Sequence, residues 1–254
     1  NWSKDGFINS GFDKKQIIVV EHGVDIKTFN ILPDEAKENA RKKYKINLED
    51  CVLTNIGAMT KNKGVEFLVA AYGILKKKNK NLKLILKDQS NLYDIGTNHL
   101  FEKISNSELN KKYKIINDEM MRDILIISKN LSLMEIKELY SITDCYVSPY
   151  LAEGFNLTPL EAASCGTQII VTKGGSTDDY FDDCMGYQIE SSEKKFNNSY
   201  LLEPKLDSLV SILREKIINK SDSLRKIRAN YIHENYSWSK ISNKLNEEFN
   251  YKLR

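Results

Sequence analysis

Apolar residues in this chain fall into short dense runs separated by polar, glycine-bearing stretches. Cys51–Gly57, Leu82–Lys87, Asp123–Ile127, Asp144–Ser148 and Gln168–Thr172 each hold consecutive aliphatic or aromatic residues. That length and continuity predict strands buried on both faces, as in a parallel sheet. Gly186–Glu190 predicts a sixth strand at an edge, and Gln16–Val20 a compact strand ahead of the others. Between the strands the period changes to 3.6. Val65, Leu68, Val69, Tyr72 and Leu75 share one helical face, and 133–141 predicts a helix with Met134, Leu139 and Tyr140 on its packed side. A charged amphipathic helix is expected over 98–112, and an exposed connecting helix over 34–45. Residues 1–15 read as a short helix or turn ending at Gly11, and Lys76-Lys77-Lys78 as a solvated helix end.

From Glu203-Pro204 onward the pattern is helical. Leu206, Leu209, Val210, Leu213 and Ile217 form one stripe, a second helix covers 221–234, and a last one follows Ser237 with Trp238 as anchor over Ile241 and Leu245. Strands alternating with helices specify an α/β fold, a Rossmann-like parallel sheet flanked by helices with a helical C-terminal tail. The expected organisation is an interdomain strand and connecting helix over 1–45, a sheet domain over 46–202 and packed helices over 203–254. The loops 57–64, 128–131, 148–158 and 173–177 all follow strand ends, so they share the rim where ligands bind such sheets.

Composition adds mainly exclusions. A net charge of +3 on 254 residues announces no nucleic-acid footprint. No apolar run is long enough to span a membrane, and no signal peptide opens the chain. Cys51, Cys145, Cys165 and Cys184 show no metal spacing and no Cys-x-x-Cys pair, which predicts reduced thiols and a cytoplasmic location. The opening Asn1-Trp2-Ser3 lacks an initiator methionine and reads as a fragment or a processed product. No Gly-x-Gly-x-x-Gly follows a strand, which disfavours a dinucleotide-dependent oxidoreductase.

The candidate chemistry is concentrated in Tyr150–Thr167. A strand leads into a loop and then a short helix that Gly166 ends, so unpaired amides and the positive end of the helix dipole converge on one spot. Glu153 and Glu161 frame it. The local reading of Thr158-Pro159-Leu160-Glu161 is a capping box with Pro159 at the first helical position. That reading leaves Glu153 and the Gly154-Phe155-Asn156 turn without a purpose.

Glu153-Gly-Phe-Asn-Leu-Thr-Pro-Leu-Glu161 resembles the Glu-x7-Glu motif of retaining glycosyltransferases with the GT-B fold, family 4 in particular. The flanking Ser148-Pro149, Glu161-Ala-Ala-Ser-Cys-Gly166 and Val171-Thr-Lys-Gly-Gly175 also fit. The resemblance covers nearly the whole chain, but only the C-terminal, donor-binding half of such an enzyme. It implies that Glu153 faces the donor sugar and Glu161 the ribose hydroxyls, with Gly154, Phe155, Asn156 and Leu157 contributing backbone contacts. In the strand–loop–helix of 57–64 it places Gly57 and Ala58 at the diphosphate and Lys63 as the cation that neutralises it. Ala58 stands where the family has an arginine. Lys61 is the candidate substitute, although an ammonium lacks the guanidinium fork, and the departure bears on catalysis more than on nucleotide binding. Asn130 and Leu131 would lie against the nucleobase. Asp178 and Asp179 read either as first-turn acids complementing a helix dipole or as sugar contacts, with Ser176 or Thr177 as the cap. Glu21-His22-Gly23-Val24-Asp25 resembles the link between the two GT-B domains.

The function implied is retaining transfer of a sugar from a UDP-, GDP- or ADP-sugar to a glycan, lipid or protein acceptor. It needs no metal or other cofactor, and the N-terminal acceptor domain would be supplied from outside this chain. Two other classes fit the same fold: a sugar-nucleotide epimerase, which needs no acceptor, and a non-catalytic interaction module, which binds no nucleotide.

Overall fold

The computed structural model describes residues 2–93, 95–196, 199–218 and 222–252. The apolar runs become β1 (Cys51–Ile56), β2 (Leu82–Lys87), β3 (Ile124–Ile127), β4 (Cys145–Ser148), β5 (Gln168–Thr172) and β6 (Gly186–Ile189). All pair in parallel, in the order β3-β2-β1-β4-β5-β6. Alternation along each strand sends side chains to two cores. Leu53, Leu84, Leu86, Cys145, Val147 and Ile170 pack on one face, and Val52, Ile85, Tyr146, Ile169 and Val171 on the other.

The helices are α1 (Trp2–Asn9), α2 (Asp34–Lys43), α3 (Val65–Lys76), α4 (Ser90–Tyr93), α5 (Thr97–Ser105), α6 (Glu108–Tyr113), α7 (Asp118–Arg122), α8 (Leu133–Ile142), α9 (Leu157–Ser164), α10 (Leu206–Ile212), α11 (Arg225–Tyr236) and α12 (Trp238–Lys252). α3, α5 and α10 contribute to the first core, and α8, α9 and α11 to the second. The predicted stripe of α3 is buried throughout. After α10 a π-turn over Leu213–Ile217 carries Leu213 and Ile217 into the first core. α9 ends as expected, with Gly166 in the left-handed region at φ 81° just beyond it. The four cysteines are free thiols, and no helix among the described residues is long and apolar enough to cross a membrane.

Several local expectations are overturned by long-range packing. Gln16–Val20 is not a strand: Lys14–Gln16 is a 3-10 turn and the following residues are extended without a ladder. Only Val24 pairs, in an isolated bridge to Ser237. The charged helix over 98–112 is two helices, because Ser107 starts α6 by accepting from Asn110 N–H at 3.2 Å. Lys76 is buried, donating to the Leu82 carbonyl at 3.0 Å and pairing with Asp123 at 2.5 Å. Arg41 of α2 is equally buried and donates to the Asn47, Asp50 and Ile142 carbonyls, so that helix is not merely a connector. Met134 is exposed, as are Trp238 and Leu245, while Ile241 is buried.

The largest omission precedes α10. Ser191–Phe196 (β7) and Ser199–Pro204 (β8) form an antiparallel hairpin that no sequence pattern predicts, and its last residues, Glu203 and Pro204, are strand at the point where the helical pattern is expected to begin. Residue 221, the expected start of the penultimate helix, lies outside the described residues.

Candidate donor site at the strand ends

Strand order reverses between β1 and β4, and there the two strands part. Their pairing is limited to Leu53–Cys145 and Thr54–Tyr146. Beyond that point side chains replace the ladder. The Asn55 amide donates to the Val147 carbonyl at 2.8 Å, and the Tyr146 hydroxyl bonds to the Ile56 carbonyl at 3.0 Å. Doubly wound sheets bind ligands in the crevice outside the carboxyl ends of the strands at such a reversal, which here is the end of β1 and β4.

Two loops meet over this crevice. Gly64 has φ 61°, and a Cβ there would overlap the Pro149 carbonyl oxygen. The loops also bond directly: Leu151 N–H donates to the Asn62 carbonyl at 2.7 Å. The clasp brings Lys63 and Glu153 into an ion pair between partly buried side chains. An ammonium has three donors, so this pairing leaves capacity for an anion.

α9 does not start where the local pattern placed it. Its N-cap is Asn156 at φ 67°, with no side-chain cap, so Thr158 lies inside the helix. The capping box does not form. The Thr158 hydroxyl lies 2.8 Å from that of Tyr146, and the Tyr140 hydroxyl donates to Glu161 Oε2 at 2.9 Å. The Asn156 backbone is held from both sides. Its side-chain amide donates to Ser148 Oγ at 2.9 Å, and its carbonyl accepts from the Tyr180 hydroxyl at 2.8 Å. The amides at the start of α9 are therefore uncapped by a side chain, on the loop that follows β4.

Burial pushes the Glu161 carboxyl up to about 7, the Tyr140 hydrogen bond offsetting part of the rise. Glu161 is half-buried and one of its oxygens is tethered to Tyr140. Phe155 is wedged between His22 and Tyr180, with ring centroids 5.1 Å from each, so its backbone is fixed through its side chain. Gly154 is exposed with open space around it. Leu157 is half-buried in the second core.

Gly57 ends β1, its N–H donating to the Lys87 carbonyl at 3.0 Å, and Ala58 is buried beside it. Lys61 is exposed, its ammonium 5.2 Å from the ring centroid of Phe196. Asn130 and Leu131 follow β3 on the same rim, Asn130 exposed and Leu131 packed on the core that holds Tyr140 and Leu160.

Ser176 and Thr177 do not cap: the turn over Ser176–Asp179 has Gly175 as N-cap, and both side chains are buried inside it. Asp178 accepts from Gly174 N–H at 2.9 Å and from the Gln188 amide at 2.7 Å, closing the glycine turn. Asp179 accepts from Trp2 N–H at 2.8 Å. Among the described residues no cluster of three or more His, Cys, Asp or Glu is placed to hold a metal.

The family identification rests on a match over most of the chain. The sequence model described as glycosyl transferases group 1 matches residues 36–222. This chain belongs to that family. Group 1 relatives among curated proteins include the D-inositol 3-phosphate glycosyltransferase of Pseudarthrobacter chlorophenolicus, 26% identical over 65% of this chain and 36% of that protein. Another is the lipopolysaccharide 1,2-N-acetylglucosaminetransferase of Salmonella typhimurium, 22% identical over 91% of this chain and 56% of its own length. The chain thus spans about a third to a half of these curated relatives.

Solved structures share the fold. A glycosyltransferase from Rickettsia africae superposes with a TM-score of 0.74 at 19% identity, covering 100% of this chain and 62% of that one. Anabaena HepE in complex with UDP gives 0.75 at 14% identity, over 98% of this chain and 61% of its own.

In this group 1 chain the sequence motif missed one organiser of the rim. Asp88, after β2, accepts from Thr97 Oγ1 at 2.7 Å, Thr97 N–H at 3.0 Å, Ser90 Oγ at 2.9 Å and Ser128 Oγ at 3.0 Å. It ties the loop after β2 to the loop after β3. Burial works against its charge, yet the hydrogen bonds, first those from Thr97, hold the carboxyl down at about 2. The surrounding Asp88-Gln-Ser and Thr97 hydroxyls were the only available signal. Because the folded value lies below 3.8, the stabilisation is present above about pH 4 and is lost as pH falls toward 2. Asp88→Asn is expected to cost about 2 kcal/mol at pH 7. In urea titrations the difference from the parent chain should shrink by pH 3.

Cavities among the described residues lie away from Lys63, Glu153 and Glu161. One of about 340 Å3 sits beside the motif, lined by Phe7, Val20, His22, Gly154 and Phe155 among others. A larger one, about 480 Å3, lies at the opposite ends of β4 and β5 among Lys37, Asp144, Gln168, Lys216 and Arg225. It reaches Gly166 and Thr167 beyond the end of α9 but neither Glu153 nor Glu161, and volume alone does not make it the functional site.

Proposed function

We propose that this chain binds a nucleotide-sugar across the carboxyl ends of β1 and β4 and supplies the donor half of a retaining glycosyltransferase. The observation that supports the reading is the clasp of the two loops at the strand-order reversal, which pairs Lys63 with Glu153 just ahead of the side-chain-uncapped start of α9, the helix that carries the half-buried Glu161. The Glu161 carboxylate accepts the two ribose hydroxyls, with Tyr140 fixing its orientation. The diphosphate lies at the start of α9 and draws the Lys63 ammonium toward it, which releases Glu153 to face the donor sugar. As the bond between the anomeric carbon and the diphosphate breaks, the acceptor hydroxyl oxygen bonds to the same face of that carbon, its proton passes to the departing diphosphate, and negative charge grows on the leaving oxygen. Lys63 and the helix terminus stabilise that charge in place, so the protein contributes positioning and electrostatics rather than a covalent intermediate.

A uridine nucleotide is the first donor class to test, since the structurally similar Anabaena HepE was solved with UDP and with UDP-glucose. The acceptor-binding half belongs to chain beyond this sequence, consistent with its span of about a third to a half of the curated relatives. The reading is tested by transfer of labelled sugar from an α-linked donor by the whole protein, with the product's anomeric configuration read by proton NMR. An α-linked product is expected. A β-linked product would overturn retention, and conversion of the donor to its epimer without acceptor would replace transfer by epimerisation.

A further inference from the structure

The hairpin of β7 and β8 lies at this rim without a sequence motif to announce it, and it runs across the loops in the order of the strands they follow. At its base, the Ser191 hydroxyl donates to the Lys173 carbonyl after β5 at 2.6 Å. Midway, Leu202 N–H donates to the Leu151 carbonyl after β4 at 2.8 Å. A Cβ on Gly175 would meet Leu202 Cδ1 at 2.9 Å, so the hairpin lies flush on the glycine turn. At the far end, Phe196 places its ring under the Lys61 ammonium in the loop after β1. Base, middle and tip thus meet the loops after β5, β4 and β1 in turn, the last two being the strands at the reversal.

The tip contact has a consequence for charge. Of the two lysines in the 57–64 loop, Lys63 is paired with Glu153 and Lys61 is exposed. An exposed lysine loses rotamer freedom when it must hold one position, and an aromatic face within about 6 Å favours one position for an ammonium. The loop has a small buried alanine at position 58 and no other cation ahead of Lys61. We infer that the hairpin is a strap across the site and that Phe196 is a positioning residue, holding the Lys61 ammonium toward the diphosphate of the bound nucleotide. The inference rests on the donor-site reading above.

It is tested on the intact chain by equilibrium binding of UDP, GDP and ADP and of the corresponding nucleosides. The proteins compared are the parent, Phe196→Leu, Phe196→Tyr, Lys61→Met and the Phe196→Leu/Lys61→Met double variant. For the nucleotide that binds, Phe196→Leu is expected to weaken the diphosphate about 2- to 5-fold while leaving the nucleoside unchanged. Phe196→Tyr keeps a ring and should restore parent affinity, and the double variant should bind no more weakly than Lys61→Met alone. Equal loss for nucleoside and diphosphate, or losses that multiply in the double variant, would reduce Phe196 to a structural contact and overturn the inference. Absence of binding by the parent chain would instead overturn the donor-site reading and the inference with it.

Discussion

Gly64→Val is expected to be the most damaging single substitution at the rim. Gly64 sits at φ 61°, ψ 21° between the 3-10 turn at Lys61–Lys63 and α3. A β-branched residue in that region costs about 1–3 kcal/mol in backbone strain alone. The added atoms would also overlap the Pro149 carbonyl and approach Leu151 Cδ1 at 2.8 Å, and a backbone oxygen cannot move aside as a side chain can. The two loops must then separate, which breaks the Leu151–Asn62 hydrogen bond and the Lys63–Glu153 pair together. We expect a loss of about 3–4 kcal/mol, a fall in Tm of roughly 10 °C for a chain of this size, and loss of measurable nucleotide binding. Gly154→Ala is the control: a Cβ there meets nothing within 4 Å and no left-handed φ is required, so its melting should match the parent within about 0.5 kcal/mol.

Glu161 yields two opposite effects from one side chain. Glu161→Ala removes the proposed ribose acceptor and leaves the buried Tyr140 hydroxyl without its partner. Losing hydrogen bonds to a charged group is expected to weaken nucleotide binding by about 10- to 100-fold. Stability responds differently. The carboxyl rises from 4.5 to about 7 through burial, so the folded chain binds the proton more tightly than the unfolded one. Stability is therefore full below about pH 4.5 and falls as pH rises through 7, by up to about 3 kcal/mol. Glu161→Gln keeps an acceptor for Tyr140 but cannot ionise. It should melt above the parent at pH 8, match it near pH 4, and still bind nucleotide more weakly at pH 8. A stabiliser that impairs binding is the signature of a residue kept for function rather than for the fold.

The sheet was legible because strands covered on both faces carry almost nothing but apolar residues. Cys51–Ile56 and Gln168–Thr172 announce themselves for that reason. β7 did not, since Ser191-Ser-Glu-Lys-Lys-Phe196 faces solvent and reads as a polar loop. Gln16–Val20 misleads in the other direction. Its aliphatic side chains are there to line a cavity beside Phe155, not to complete a ladder. Lys76 belonged by sequence to a solvated run, and only the fold brings Asp123 within reach of it.

At the site, the Glu153–Glu161 spacing and the glycines of both loops were readable, and the structure clasps the two loops through Gly64 against Pro149 and Lys63 against Glu153. The start of α9 was not. Thr158 and Glu161 have the residue types of a capping box, but Tyr146 and Tyr140 compete for them from β4 and α8. The cap lies instead at Asn156, and Glu161 accepts from Tyr140 rather than reaching back to the start of the helix. Asp88 escaped notice because its partners, Thr97 and Ser128, are distant in sequence.

The most direct test of the account is calorimetric titration of this chain with UDP, GDP and ADP, in parallel with Glu161→Ala and with Lys216→Met in the cavity at the opposite rim. The account predicts saturable binding of one nucleotide, weakened at least tenfold by Glu161→Ala and untouched by Lys216→Met. Binding that survives Glu161→Ala but is lost in Lys216→Met, or no binding of any nucleotide, would contradict a donor site at the β1–β4 crevice.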